Sequence, residues 1–162
     1  MDERKLRDLG RERAVRADSA GLWRTLGYRL VSWDRGSSVV AWRATEDYGF
    51  ATDAGYVVQG GLVSAVLDAA MGGACWTVLD AEQVFLTADL RVEFLRSAQV
   101  GELVATGTVV RSTRRVVFCA GELHDADGVL LAAGRCTQVL LPIEHRSRRS
   151  HTARTAVAPE DR

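Results

Sequence analysis

Between Gly55 and Leu79 the chain carries one formal charge, Asp68, in a run rich in alanine and glycine with LVSAVLDAAMGGA at its heart. From Gly60 to Leu79 that run is long enough for a helix, yet it leaves no wet face broad enough for a surface helix. The helix must be buried nearly all round. Ala65, Ala69, Ala70, Gly72, Gly73 and Ala74 are small enough for neighbouring backbone to approach it closely. A membrane span would also bury such a run. Gln59, Ser64, Asp68 and four glycines lower its hydrophobicity, however, and neither end carries the Lys/Arg flank that anchors a span. A fold built around one central helix remains.

The flanking segments supply a sheet. Tyr28 to Asp34 and Ser38 to Arg43 are β-prone runs joined by Asp34-Arg35-Gly36-Ser37, which has the composition of a hairpin turn. Thr45 to Val58 (TEDYGFATDAGYVV) has no period and reads as a loop. Beyond the helix, Leu90, Val92 and Phe94 alternate with Asp89, Arg91 and Glu93, the pattern of a half-buried antiparallel strand. Leu103 to Val110 and Val116 to His124 continue it across the turn Arg111-Ser112-Thr113-Arg114-Arg115. Asp125-Ala126-Asp127-Gly128 makes another turn before Val129 to Leu141, and Pro142, having no N–H to donate, stops the ladder. The order ββ, helix, ββββ predicts an α+β fold, one curved antiparallel sheet packed on one helix.

The 162 residues suffice for one domain, placed at residues 27–142. Residues 1–26 read as a peripheral amphipathic helical segment, carrying Leu6, Leu9, Val15, Leu22 and Trp23 and broken near Gly10 and Gly21. Residues 143–162 keep no apolar period and are expected to be a disordered polar tail. Twenty-one basic side chains balance twenty-one acidic ones, which argues against a nucleic-acid partner. Cys75, Cys119 and Cys136 share no CxxC spacing and sit in apolar runs, as reduced thiols of an intracellular protein do. The charged N-terminus lacks the apolar core of a secretory signal, and a cytoplasmic location is expected.

Three histidines, His124, His145 and His151, leave none near the apolar centre, so neither a Ser/His/Asp arrangement nor a multi-histidine metal site is available there. Chemistry would fall to carboxylates, hydroxyls or backbone. Asp68 is either a carboxylate on the helix's one wet stripe or backbone cap, or a functional acid. Ser64 lacks a base to activate it, and Cys75 reads as core. Tyr56, Trp76 and Phe85 either line a pocket or fill the core.

Val57-Val58-Gln59-Gly60-Gly61, the helix after it, and Thr87-Ala88-Asp89-Leu90-Arg91-Val92-Glu93-Phe94-Leu95 together resemble the hotdog-fold acyl-CoA thioesterases of the phenylacetate-degradation (PaaI-like) subgroup. That family has a His/Gln-Gly-Gly turn opening a long central helix, an acid nine positions after the His/Gln, and a Thr/Ser-x-Asp strand. The likeness spans roughly Gly27 to Leu141. It implies that Asp68 is the base for water or a nucleophile, that Gly60 N–H polarises the thioester, that Thr87 helps position the water, and that Gln59 replaces the more usual histidine. Gly61, Asp53, Arg111, Arg114 and Arg115 are the implied substrate contacts, the arginines toward the CoA phosphates. Those arginines read equally well as a solvated hairpin end. Asp53 stands where the family often has asparagine; it either raises the pKa of Asp68 or faces solvent.

Gly60 and Asp68 are eight residues apart, about 12 Å along one helix, so one chain cannot bring both to one carbonyl. Two antiparallel copies could, which predicts a homodimer or a dimer of dimers. Burial should raise the pKa of Asp68. No metal and no cofactor beyond the CoA of the substrate is expected. The alternative is an acyl-CoA-binding or sensing hotdog that has lost turnover.

Overall fold

The computed structural model describes residues 21–53 and 55–143, so the expectations for residues 1–20 and 144–162 lie outside the described chain. A short helix α1 (Gly21–Leu26) leads into strand β1 (Tyr28–Asp34) through Gly27, whose φ of 75° suits the left-handed turn that ends a helix. Helix α1 begins at Gly21, where a break was expected. Trp23 of α1 packs edge-on against Tyr28, with ring centroids 5.9 Å apart.

Strand β1 pairs with β2 (Ser37–Ala44) across a two-residue turn in which Gly36 takes a φ of 81°. A 3-10 turn (Glu46–Tyr48) precedes β3 (Gly49–Thr52) and β4 (Gly55–Val58), which pair as a separate hairpin. The segment Thr45 to Val58 is therefore not a plain loop. Four-residue strands with exposed outer positions leave no alternation to read, and the turn is made possible by Gly55 at φ 112°.

The central helix α2 (Gly60–Trp76) follows, then β5 (Gln83–Phe94), β6 (Gly101–Ser112), β7 (Val116–Asp125) and β8 (Leu130–Pro142). The main sheet has the order β1-β2-β6-β7-β8-β5, antiparallel throughout. Pro142 does not quite stop the ladder, because Ile143 N–H still donates to the Glu82 carbonyl at 2.8 Å.

Glycines set how closely α2 lies on the sheet. Gly107, Gly121 and Gly134 are cross-strand neighbours on β6, β7 and β8. A Cβ on Gly107 would overlap the Ala70 carbonyl of α2, and one on Gly121 would come within 3.0 Å of Met71 Cγ. The helix therefore rests almost on sheet backbone. Gly36 N–H donates to Thr77 Oγ1 at 2.7 Å, and the Ser38 hydroxyl donates to the Ala70 carbonyl at 2.6 Å, tying the β1–β2 hairpin to the same helix.

The helix is not buried all round. Val63, Val66, Leu67, Ala70, Met71, Ala74 and Cys75 face the sheet and are buried, whereas Gly61 is exposed and Ser64, Ala65, Asp68 and Ala69 are half-buried. Its small-residue face is uncovered in a single chain. Strand β5 repeats this: Leu90 is 36% and Phe94 57% exposed. A strand expected to be half-buried is largely open because it forms the edge of the sheet.

Candidate active site

Helix α2 starts where its sequence says it should. Gln59 is the N-cap, in extended backbone (φ −65°, ψ 129°), and its side-chain Oε1 accepts from Leu62 N–H at 3.2 Å. Gly61 makes room for this, since a Cβ there would lie 2.7 Å from that oxygen. Gly60 in turn admits the ring of Phe94, which a Cβ would approach to 3.3 Å. The Gly60 and Gly61 N–H groups have no acceptor among the described residues, as the first turn of a helix requires. Two donors at the positive end of a seventeen-residue helix can hold an oxygen that is gaining charge.

Asp68 lies two turns further on and is half-buried. The Thr87 hydroxyl donates to its Oδ1 at 3.0 Å and also lies 3.0 Å from Oε1 of Gln138. A bulge explains why Thr87 faces the helix. Thr87 pairs with Gln138 and Asp89 with Thr137, so Ala88 is an extra residue that re-aims the strand. Phe85 and Thr87 thereby share the helix side with Leu90, Val92 and Phe94, although the numbering changes parity. Thr87 acts directly on the carboxylate of Asp68, a contact that spacing alone did not reveal.

Gln138 is fully buried and was not singled out from the sequence. The available signal was an amide standing alone in the apolar strand stretch Val139-Leu140-Leu141 and its neighbours. Its Nε2 donates to Cys136 Sγ at 3.1 Å. Cys136 lies opposite Cys119 across the β7–β8 pair, and all three cysteines are free and buried. For Cys119 the hydrogen bond with Cys136 lowers the thiol pKa, but the bond with Cys75 and burial outweigh it and push it up to about 12. Cys136 is raised further, by its hydrogen bond with Cys119, by burial and in part by the charge of Asp68.

The other anticipated residues are distributed as follows. Arg111, Arg114 and Arg115 are exposed around the β6–β7 turn. The Arg115 carbonyl accepts from Leu140 N–H at 2.9 Å, two residues beyond Gln138 and so roughly 7 Å along β8. Asp53 is exposed at the tip of the β3–β4 hairpin. The Ser64 hydroxyl donates to the Gly60 carbonyl at 3.1 Å. Trp76 and Phe85 pack together at 5.0 Å, half-buried, and Tyr56 is exposed.

A mostly apolar cavity of about 420 Å³ opens beside Gly60, walled by Phe50, Val57, Val63, Phe94 and Leu131, with Arg96 at its side. That is within the roughly 300–1,000 Å³ usual for small-molecule sites. No helix among the described residues is long and apolar enough to cross a membrane.

An antiparallel sheet packed on one long helix is the hotdog arrangement of thioesterases. The family model of the thioesterase superfamily matches residues 55–132, and with a relative of that superfamily 31% identical along most of its length the chain belongs to it. It is 31% identical to a phenylacetic acid degradation-related protein from Ralstonia eutropha JMP134, covering 73% of this chain and 88% of that one at a TM-score of 0.66. It is also 31% identical over 110 residues to a Saccharolobus solfataricus protein provisionally named an esterase, covering 67% of this chain and 75% of the relative. The medium/long-chain acyl-CoA thioesterase YigI of Salmonella typhimurium is 26% identical over 52% of this chain and 63% of its own length. By this membership the protein is a thioester hydrolase.

Proposed function

We propose that the protein hydrolyses a small or medium acyl-CoA, aliphatic or aromatic, to the free acid and CoA. The observation that carries this reading is the half-exposed Asp68 carboxylate, gripped at Oδ1 by Thr87 on a helix face otherwise made of small residues. The name of the Salmonella relative supports the acyl-CoA class. The apolar cavity suits an acyl group or the pantetheine arm, and the exposed arginines of the β6–β7 turn suit the CoA phosphates.

With Oδ1 engaged, Oδ2 of Asp68 takes a proton from water as the water oxygen attacks the thioester carbon. The carbonyl oxygen becomes an oxyanion held by Gly60 N–H, with Gly61 N–H beside it. Collapse of the tetrahedral intermediate breaks the C–S bond, and the departing thiolate takes the proton from Asp68. The cycle closes with no net change in the enzyme.

Each site draws on two chains. Within one helix Gly60 lies about 12 Å from Asp68. A second copy packed antiparallel on the open Ser64, Ala65, Asp68 and Ala69 face would bring its own Gly60 to this Asp68. The same partner would cover Leu90 and Phe94 and the free edge of β5.

The test is Asp68→Asn and Asp68→Ala against a panel of acyl-CoAs with thiol detection. Turnover should fall at least about 100-fold in both. Unchanged turnover removes Asp68 from the mechanism, and tight stoichiometric binding without CoA release by the wild type would make the protein a sensor.

A further inference from the structure

Gln138 has no role in the hydrolysis as described, yet it is a primary amide with no exposed surface, directly behind the acid. Such a group is costly to bury unless its hydrogen bonds are made. Ser38, the other buried polar side chain among the described residues, satisfies a helix carbonyl and needs no further account. The contacts of Gln138 run toward Asp68. Thr87 Oγ1 lies 3.0 Å from Asp68 Oδ1 and 3.0 Å from the Gln138 amide oxygen, but a hydroxyl has one proton and cannot donate to both.

Two complete arrangements exist. With the amide oxygen toward Thr87, the hydroxyl proton goes to Gln138, and Asp68 meets an oxygen lone pair unless it is itself protonated. With the amide turned by half a rotation from the orientation in which Nε2 donates to Cys136 Sγ, Nε2–H donates instead to Thr87 Oγ1, the Thr87 proton goes to Asp68 Oδ1, and Cys136 turns its one thiol proton from Cys119 to Gln138 Oε1 across the 3.1 Å contact. The second arrangement points every proton at the carboxylate. It suits an ionised Asp68, the form a base requires.

We infer that Gln138 is a positioning residue which, by presenting its N–H to Thr87, commits the Thr87 proton to Asp68 Oδ1. The inference rests on the proposed role of Asp68 for its functional meaning, though the hydrogen-bond chain itself does not.

Few other charges compete for this control. The inward positions of β2, β6 and β7 near the helix are Val40 and Trp42, Leu103 and Ala105, and Val117, Cys119 and Leu123. Titratable groups on that side are thus the thiols of Cys75, Cys119 and Cys136, with Tyr28 of β1 near the helix start, where its hydroxyl lies 3.5 Å from the Leu62 carbonyl. On β5, Asp89, Arg91 and Glu93 alternate with the inward Leu90, Val92 and Phe94 and are exposed, Arg91 pairing with Glu93 at 2.8 Å.

The experiment follows the carboxyl carbon of Asp68 by ¹³C NMR through a pH titration, in the wild type and in Gln138→Met and Gln138→Asn. Methionine fills the space without an amide, and asparagine keeps the amide but withdraws it from Thr87, so a packing failure of one leaves the other. Both variants should raise the Asp68 midpoint and move the acidic limb of kcat/KM with it. In a Thr87→Val background the Gln138 substitutions should add no further shift. A midpoint that stays put in a folded variant, or a shift that persists without the Thr87 hydroxyl, overturns the inference. A purely structural role would lower Tm and leave the midpoint alone. Because the titration does not need turnover, a failure of the hydrolytic reading in Asp68→Asn would show separately.

Discussion

At the scale of single residues the proposed hydrolysis turns on one donor and one acid. Gly60 is the first helical residue, and Gln59 before it has backbone that tolerates a following proline. Gly60→Pro therefore deletes the N–H while the helix survives, and Gly60→Ala adds a comparable Cβ beside Phe94 but keeps the donor. The proline variant should lose about 100- to 1,000-fold in kcat, and alanine far less; steady-state assays on both decide it. Gln59, Gly60, Asp68 and Thr87 were legible as types at a spacing. Which atom Thr87 touches was not, because the Ala88 bulge shifts the register and alternation cannot foresee a bulge. Gln138 was missed because a single amide in an apolar strand looks like an outward position until the strand's burial is known.

Among the elements, the helix and the glycines beneath it form one packing unit. Gly107→Ala should destabilise the fold by about 2 kcal/mol or more, since its methyl meets helix backbone that cannot rotate away; the same change at Gly101, which has open space, tests the φ effect alone. Urea unfolding measures both. The buried thiols make a second prediction. Cys119 is raised from an ordinary value of 9.0 to about 12, and Cys136 is raised as well. Groups held protonated in the folded state contribute stability that is complete below pH 9 and is lost as pH rises from there through the folded values. Cys136→Ala should flatten the loss of Tm above pH 9. Strand β1 and the start of α2 were readable because turn chemistry and capping are local. The β3–β4 hairpin was not, since its four-residue strands owe their pairing to a turn more than to a buried face.

At the scale of the whole molecule, one chain leaves the small-residue helix face, the β5 edge and, beside them, the side chains of Leu90 and Phe94 uncovered. The sequence read the helix as buried all round, which a single chain does not achieve; the proposed second copy would supply the missing cover. Phe94→Asp should shift the protein to monomer in sedimentation and abolish turnover together, since it charges an apolar surface beside Gly60. Dissociation with full activity would leave the site within one chain.

Subunit complementation tests the shared site most directly. Asp68→Asn and Gly60→Pro chains, each inactive alone, are unfolded together, refolded and assayed for CoA release. A mixed dimer should carry one site with both residues intact and one with neither, so random mixing restores about a quarter of the wild-type activity. Activity no higher than the sum of the two variants, in a preparation shown to contain mixed dimers, would mean that each chain's acid and amide donors serve the same site.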